Sequence, residues 1–365
     1  MKERRPKPIL TLLLLLLTLG ATAQERLYID EWSFTPGGEM DYFTIGIENA
    51  AYEDYTAFQF DLLLPPGLEL AYDEENEPDC TNRVKGYLCN SNSYSLSVAV
   101  EKGYIRFICY NTKGQSFTKS KRTGYLLDIG VIPGPYLKPG DIDITLKNVK
   151  FARVTEEYGL KVDEMSLTGL TADAESTLPV KVSASNKYST AVFPFDIDAI
   201  PAGLEVYSCS GTNGDNLVLT KQNSAKAYTP YILYAANGYS ATLSGTVDAS
   251  KYSARVSDGY LSGTTVACEV SGGEGHYVMQ NKGNGPMFYK VTDTSFSIPA
   301  GKCWLTLPAS LQGSTSFRID GSTGIEEVKT ESGKVKGEIY DLQGRKVETP
   351  SKGLYIVDGK KVLVK

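Results

Sequence analysis

The feature that most constrains this chain is a period-two alternation of apolar and polar residues that returns along its first half. Phe43, Ile45 and Ile47 alternate with Thr44, Gly46 and Glu48, and Phe58, Phe60, Leu62 and Leu64 alternate with Gln59 and Asp61. Leu96, Val98 and Val100 follow, then Ile105, Phe107 and Cys109, then Leu127, Ile129 and Val131, then Ile142, Ile144 and Leu146. A two-residue period puts one set of side chains on one face of a strand, whereas a helix needs a period of 3.6. Many short strands with one buried face, separated by Gly, Pro and Asn turns, predict a sandwich of two sheets. A segment of about 150 residues can bury enough surface for its own core, and residues 24–172 are expected to form that unit.

A second β-rich domain is expected over 173–320. A polar, linker-like stretch, Thr171–Thr177, opens it. Strand candidates are Ala191–Phe195, Leu204–Cys209, Asn216–Lys221, Pro230–Ala235, Ala241–Val247, Gly259–Ser262, His276–Gln280, Met287–Val291 and Cys303–Leu307. The Asn281–Gly285 run reads as a hairpin loop. Residues 321–365 form a linker and a short terminal β tail. There Leu354–Val357 and Lys361–Val364 flank Asp358-Gly359-Lys360, and Asp-Gly is a strong hairpin turn signal. The fold class expected is therefore all-β throughout.

Lys2, Arg4, Arg5 and Lys7 precede the apolar run Ile9–Leu19, and Ala21-Thr22-Ala23 ends it with small residues. That order describes a secretory signal peptide over residues 1–23, cut between Ala23 and Gln24. No later stretch approaches the 18 apolar residues of a membrane helix, so no span is expected in the mature chain. An exported protein can hold disulfides. Six cysteines are present, and Cys80 with Cys89 is the preferred pair, although three cysteines per half leave an odd thiol in each and spacing does not fix connectivity.

Three resemblances follow from these motifs. The tail, through Ile339-Tyr340-Asp341, Gly344-Arg345, Gly353-Leu354-Tyr355 and the closing Lys-Val-Leu-Val-Lys, resembles the C-terminal sorting domains of type IX secretion in Bacteroidetes. It implies the secretion machinery as a partner. The first domain, through Ala57-Phe58-Gln59-Phe60-Asp61-Leu62, Pro66-Gly67-Leu68 and Asn148-Val149-Lys150-Phe151, resembles cohesin-like domains, jelly-roll sandwiches related to some cellulose-binding modules. These are packing motifs, so they imply fold more than function. Cohesins of cellulosomes bind dockerins, but no residue here marks a dockerin-binding face. The stretch from Tyr260 to Pro308 resembles a β-rich module that recurs before such tails and has no known activity.

Composition and motifs remove several chemistries. A net charge of −6 argues against a nucleic-acid partner. His276 is the only histidine, so any Ser-His-Asp arrangement would have to use it, and a His-rich metal site is excluded by count. No C-x-x-C pair, G-x-S-x-G elbow or P-loop occurs. No metal or cofactor is expected. The acidic run Asp73–Asp79 lacks EF-hand spacing and reads as a solvated loop, although it could collect calcium. A glycosidase carboxylate pair has no recognisable frame and is the least favoured reading.

The candidate ligand-binding residues are Tyr104, Arg106 and Tyr110, which fall on the parity opposite Ile105, Phe107 and Cys109, with Tyr94 and Tyr87 nearby. Outward tyrosines offer flat apolar faces with a polar tip, suited to stacking on sugars. Trp32 and Trp304 read as core or interdomain packing. The expectation is a secreted or cell-surface, non-catalytic protein that binds glycans or adheres, in the setting of polysaccharide utilisation. The alternative is a scaffold that binds another protein through a sheet face.

Overall fold

The computed structural model describes residues 25–118, 123–155, 157–283 and 285–319. In the C-terminal segment it describes 326–327, 339–341, 345–347, 353–357 and 360–364. The signal peptide with its Ala23–Gln24 junction lies outside the described residues, as do Gly344 and Lys365 of the sorting-like motif.

The first domain is a sandwich. Its strands are Arg26–Ile29 (β1), Trp32–Phe34 (β2), Asp41–Glu48 (β3), Tyr55–Leu63 (β4), Leu68–Leu70 (β5) and Cys80–Asn82 (β6). Tyr94–Glu101 (β7), Tyr104–Asn111 (β8), Thr123–Pro133 (β9), Gly140–Arg153 (β10) and Tyr158–Ala172 (β11) complete it. One sheet runs β1-β3-β9-β5, with β6 also on β9, and the other runs β2-β11-β10-β4-β8-β7. The alternation explains the layering. Phe58, Phe60 and Leu62 of β4, Ile105, Phe107 and Cys109 of β8, and Ile144, Leu146, Val149 and Phe151 of β10 all enter one core with Phe43, Ile45, Ile47, Leu127, Ile129 and Val131 of the other sheet. Phe58 stacks between Phe60 and Phe151 at centroid distances of 5.8 and 5.6 Å. Trp32 packs on the margin of this core and donates its indole N–H to Asp41 at 2.8 Å.

The second domain is built on strands throughout. They are Glu175–Val182 (β12), Tyr188–Val192 (β13), Glu205–Asn213 (β14), Asn216–Gln222 (β15), Pro230–Tyr234 (β16), Tyr239–Thr246 (β17) and Arg255–Asp258 (β18). Leu261–Thr264 (β19), Cys268–Ser271 (β20), His276–Asn281 (β21), Pro286–Lys290 (β22), Ser295–Ile298 (β23), Cys303–Thr306 (β24) and Ser316–Arg318 (β25) follow. A ten-stranded sheet, β13-β16-β14-β15-β25-β22-β21-β24-β19-β18, curls until its ends approach. Val192 N–H donates to Gly301 at 2.9 Å, and Cys303 N–H donates to Thr190 Oγ1 at 3.2 Å. The curl encloses Val192, Tyr207, Leu217, Ile232, Tyr277, Phe288, Leu305 and Phe317. The β12-β17 pair covers its other face through Leu178, Val180, Phe193, Val206 and Leu233. In the C-terminal segment, Glu326–Glu327 (β26), Ile339–Tyr340 (β27), Gly353–Val357 (β28) and Lys360–Val364 (β29) form a small sheet, β26-β29-β28-β27.

Two expectations change. Thr171–Thr177 is not a linker. Only Asp173 and Ala174 separate β11 from β12, because Ser and Thr suit the pleated backbone and find ladder partners on both sides. The two domains are also tied together. Tyr136, in the loop after β9, enters the core of the second domain and donates its hydroxyl to Val192 O at 2.6 Å. Thr177 N–H donates to Pro36 O at 2.9 Å, and its Oγ1 donates to Gly37 O at 2.7 Å. Gly37 has φ +74°, and a Cβ there would lie 1.8 Å from Thr177 O, so only glycine allows this approach.

All six cysteines are free thiols, so the Cys80–Cys89 bond expected from the sequence is not made here. Burial pushes the Cys80, Cys109 and Cys303 thiols up to about 12 and Cys209 to about 11.

Candidate functional site

The outer face of the six-stranded sheet is organised by a bulge. Asn148 interrupts the β10–β4 register between Lys147 and Lys150 and adopts φ +52°. Asn tolerates that left-handed conformation better than most residues. The turn brings its amide to the neighbouring strand, where Nδ2 donates to Asp61 Oδ2 at 2.6 Å. Arg106, directly opposite Asp61 on β8, donates from Nε to Oδ1 at 2.6 Å and from a terminal nitrogen to Oδ2 at 2.8 Å. Asp61 is 3% exposed. The guanidinium, reinforced by the Asn148 amide, holds its carboxyl below the usual carboxylate range even though burial pushes the other way. The same pairing raises Arg106. The guanidinium also lies 5.1 Å from the Tyr104 ring centroid.

Tyr104, Arg106 and Tyr110 therefore share the outer face of β8, but the tyrosines are six residues apart, about 20 Å along a strand. The Arg106 guanidinium covers Tyr104, so the two rings form no continuous aromatic platform. Tyr94 sits on the other parity. It packs at the margin of the sandwich core, its ring 5.8 Å from Phe117, and its hydroxyl donates to Gln115 O at 2.5 Å. Tyr87 is exposed near the β9 sheet, against Tyr125 and Arg83.

The residues that do meet on this face come from distant parts of the chain. One cross-strand row reads Tyr158, Ala152, Ala57 and Tyr110. Tyr158 and Tyr110 are 55% and 43% exposed. Three strand spacings separate them, about 14 Å. Two tyrosine walls over an alanine floor make a shallow apolar trough. The next row carries Lys161, Lys150, Gln59 and Ile108, and the one after carries Glu164, Lys147, Asp61 and Arg106, with Lys147 and Glu164 paired at 3.1 Å. Asp61 cancels Arg106 and Glu164 cancels Lys147, which leaves Lys150 and Lys161 as net positive charge beside the trough. Tyr158 escaped the sequence reading because it opens β11, a strand outside the alternating runs that end at Leu146, although Leu160 and Val162 alternate with Lys161 and Asp163. Asp61 had the correct parity but no visible partner.

The other sequence candidates carry no catalytic arrangement. The half-buried His276 has Nδ1 3.1 Å from Ser271 O and 3.9 Å from Glu274, and its ring meets Trp304 edge-on at 6.2 Å. None of these contacts offers a nucleophile. In the Asp73–Asp79 loop, Asp73 accepts the Glu75 and Glu77 N–H groups at 2.9 Å each, and Asp79 accepts the Tyr42 hydroxyl at 2.6 Å. Among the described residues, no group of three or more His, Cys, Asp or Glu side chains could hold a metal ion. No described helix is long and apolar enough to cross a membrane.

No protein-family model matches the chain, and no curated protein matches it. Solved structures similar to part of it include a non-cellulosomal cohesin of the hyperthermophilic archaeon Archaeoglobus fulgidus, at 17% identity and a TM-score of 0.31, over 41% of this chain and 91% of that one. A type I cohesin–dockerin complex of Clostridium thermocellum matches at 13% identity and a TM-score of 0.31, over 42% and 99%. A cohesin module from a family 33 glycoside hydrolase of Clostridium perfringens matches at 11% identity and a TM-score of 0.30, over 42% and 100%. The likeness is partial, and the all-β fold stands on the chain's own strand order and sheet topology.

Proposed function

We propose that this chain is an exported, non-catalytic binding protein whose first sandwich docks another protein on the outer face of its six-stranded sheet. The observation that carries this reading is the trough between Tyr110 and Tyr158 beside the uncompensated Lys150 and Lys161. Rigid exposed tyrosines are favoured anchors at protein interfaces, and a rim of one sign selects a partner of the other. The fitting partner presents an apolar side chain to the alanine floor and acidic groups to the two lysines. A dockerin-type module is one protein class that could meet this description. Stacking of a glycan on this face is the weaker reading, because Arg106 occupies the Tyr104 ring.

The test uses the full mature chain as bait in the secreted fraction. A single partner retained by the wild type and lost by Lys150→Glu with Lys161→Glu, or by Tyr110→Asp, supports the reading. Equal capture by all three proteins removes it. A glycan array, repeated with Tyr104→Ala and Tyr110→Ala, decides the glycan version. The tail over 321–365 is proposed as the secretion address. Intact-mass measurement of the exported protein tests it together with removal of residues 1–23, and a mass that retains the tail contradicts its cleavage.

A further inference from the structure

A concave site lies in the second domain, far in sequence from the sheet face above. It is a groove of about 430 Å³ between the turns Ile200–Leu204 and Ala236–Gly238, floored by the start of β14 and the ends of β15 and β16. That volume falls in the range of small-molecule sites. The turns are closed by Leu204 N–H to Pro201 O and Gly238 N–H to Ala235 O, both at 3.2 Å. The only charged residues lining it are Glu205 and Lys221, and they pair at 3.2 Å, so the groove is electrically neutral.

Its polar atoms are arranged with capacity to spare. Lys221 Nζ and the Tyr207 hydroxyl both engage Glu205 Oε2, which leaves Oε1 without a partner among the described residues. These contacts keep the Glu205 carboxyl ionised, below its usual range. Gln222 commits both donors of its amide, to Ser208 Oγ at 3.0 Å and Thr220 O at 3.1 Å, so its oxygen is left as an acceptor. The exposed side-chain amides of Asn223 and Asn237 have no partner among the described residues and add donors and acceptors together. Tyr234 lines the same groove, with the Tyr188 ring 4.8 Å away.

We infer that this groove binds a neutral saccharide. A sugar hydroxyl both donates and accepts, so it needs a wall that mixes the two. One hydroxyl can donate to Glu205 Oε1 while its vicinal neighbour accepts from a remaining Lys221 proton, and the Asn223 and Asn237 amides continue the pattern. The Tyr234 ring supplies an apolar surface for the C–H face of the sugar. An anion would meet Glu205 and a cation would meet Lys221, so a charged ligand gains nothing from the pair. The inference goes beyond the sheet-face reading and uses none of its residues.

The test is saturation-transfer NMR on the full mature chain with glucose, galactose, mannose, xylose, N-acetylglucosamine and their β-1,4 disaccharides, and glucuronic acid as the charged control. At least one neutral sugar is expected to bind. Asn223→Ala with Asn237→Ala is expected to weaken that binding about tenfold or more, from two lost hydrogen bonds. Glu205→Gln, which keeps the side-chain shape, should weaken it independently, and Tyr110→Asp should leave it unchanged. Circular dichroism confirms that each variant is folded. A panel with no binding, unchanged affinity in both groove variants, or tighter binding of glucuronic acid than of glucose would each overturn the inference.

Discussion

Arg106 and Asp61 face each other across neighbouring strands with both guanidinium-to-carboxylate bonds made, at 2.6 and 2.8 Å, on a sheet face otherwise open to solvent. The Asp61 side chain is 4% exposed and that of Arg106 37%, so the acid is the buried partner and the base its cover. Removing the cover should therefore hurt more than removing both. Arg106→Ala is expected to lower the urea midpoint, because Asp61 keeps only Asn148 as a side-chain partner. Adding Asp61→Ala should recover part of the loss. A double-mutant cycle in which the two losses simply add would show that the pair is not coupled.

The same pair sets an acid limb of stability. The folded pKa of Asp61 lies below its unfolded value near 3.8. Its ionised form is therefore favoured by folding, and the contribution is fully present above that value and lost as pH falls through the lower, folded one. Between pH 5 and pH 3 the wild type should lose stability more steeply than Asp61→Asn, as read from urea unfolding at each pH. Parallel curves would assign the acid limb to other carboxylates.

Phe60 is fully buried, with Phe58 at 5.8 Å and Phe107 at 5.4 Å. Phe60→Ala should cost about 3–5 kcal/mol, since the rigid strands around it cannot close the cavity. Chemical denaturation of the mature chain measures this.

Gly301 holds φ +74°, and a Cβ there would stand 2.1 Å from the Tyr136 hydroxyl oxygen. Gly301→Ala should therefore push out the tyrosine that joins the two domains and lower the melting temperature. Tyr136→Phe, which loses only the bond to Val192 O, should cost about 1 kcal/mol. The contrast between the two variants separates a steric from a hydrogen-bond effect. It also predicts that residues 24–172 made alone expose a side chain meant for the second core.

The thiols should divide by burial. Cys109, Cys209 and Cys303 are buried with raised pKa values and should resist a maleimide at pH 8 until the protein unfolds. Cys268 is half-buried, with an Arg255 guanidinium nitrogen 2.6 Å from its sulfur, and should be labelled in the folded state. Peptide mapping after brief labelling gives the order, and early modification of Cys303 would contradict it.

What the sequence determined by itself was parity. Apolar alternation over Phe58–Leu62 and Ile105–Cys109 fixed which side chains enter the core, because a strand has only two faces and water excludes the apolar one. It thereby put Tyr104, Arg106 and Tyr110 outward, and the same rule located most strands of the second domain within a few residues. The same parity sets Tyr94 apart from those three residues, because it falls in step with Leu96 and Val98 and packs with them at the sandwich margin, its hydroxyl still bonded. Tertiary structure alone decided which outward residues are neighbours. The Asn148 bulge sets the β10 register that brings an amide to Asp61, and strand pairing across 48 residues puts Tyr158 in one row with Tyr110. It also decided that Tyr136 belongs to the second core, and that Glu205, Gln222, Asn223 and Asn237 line one groove. These relationships depend on register and sheet curvature, which are set jointly by strands far apart in the chain, so no local pattern encodes them.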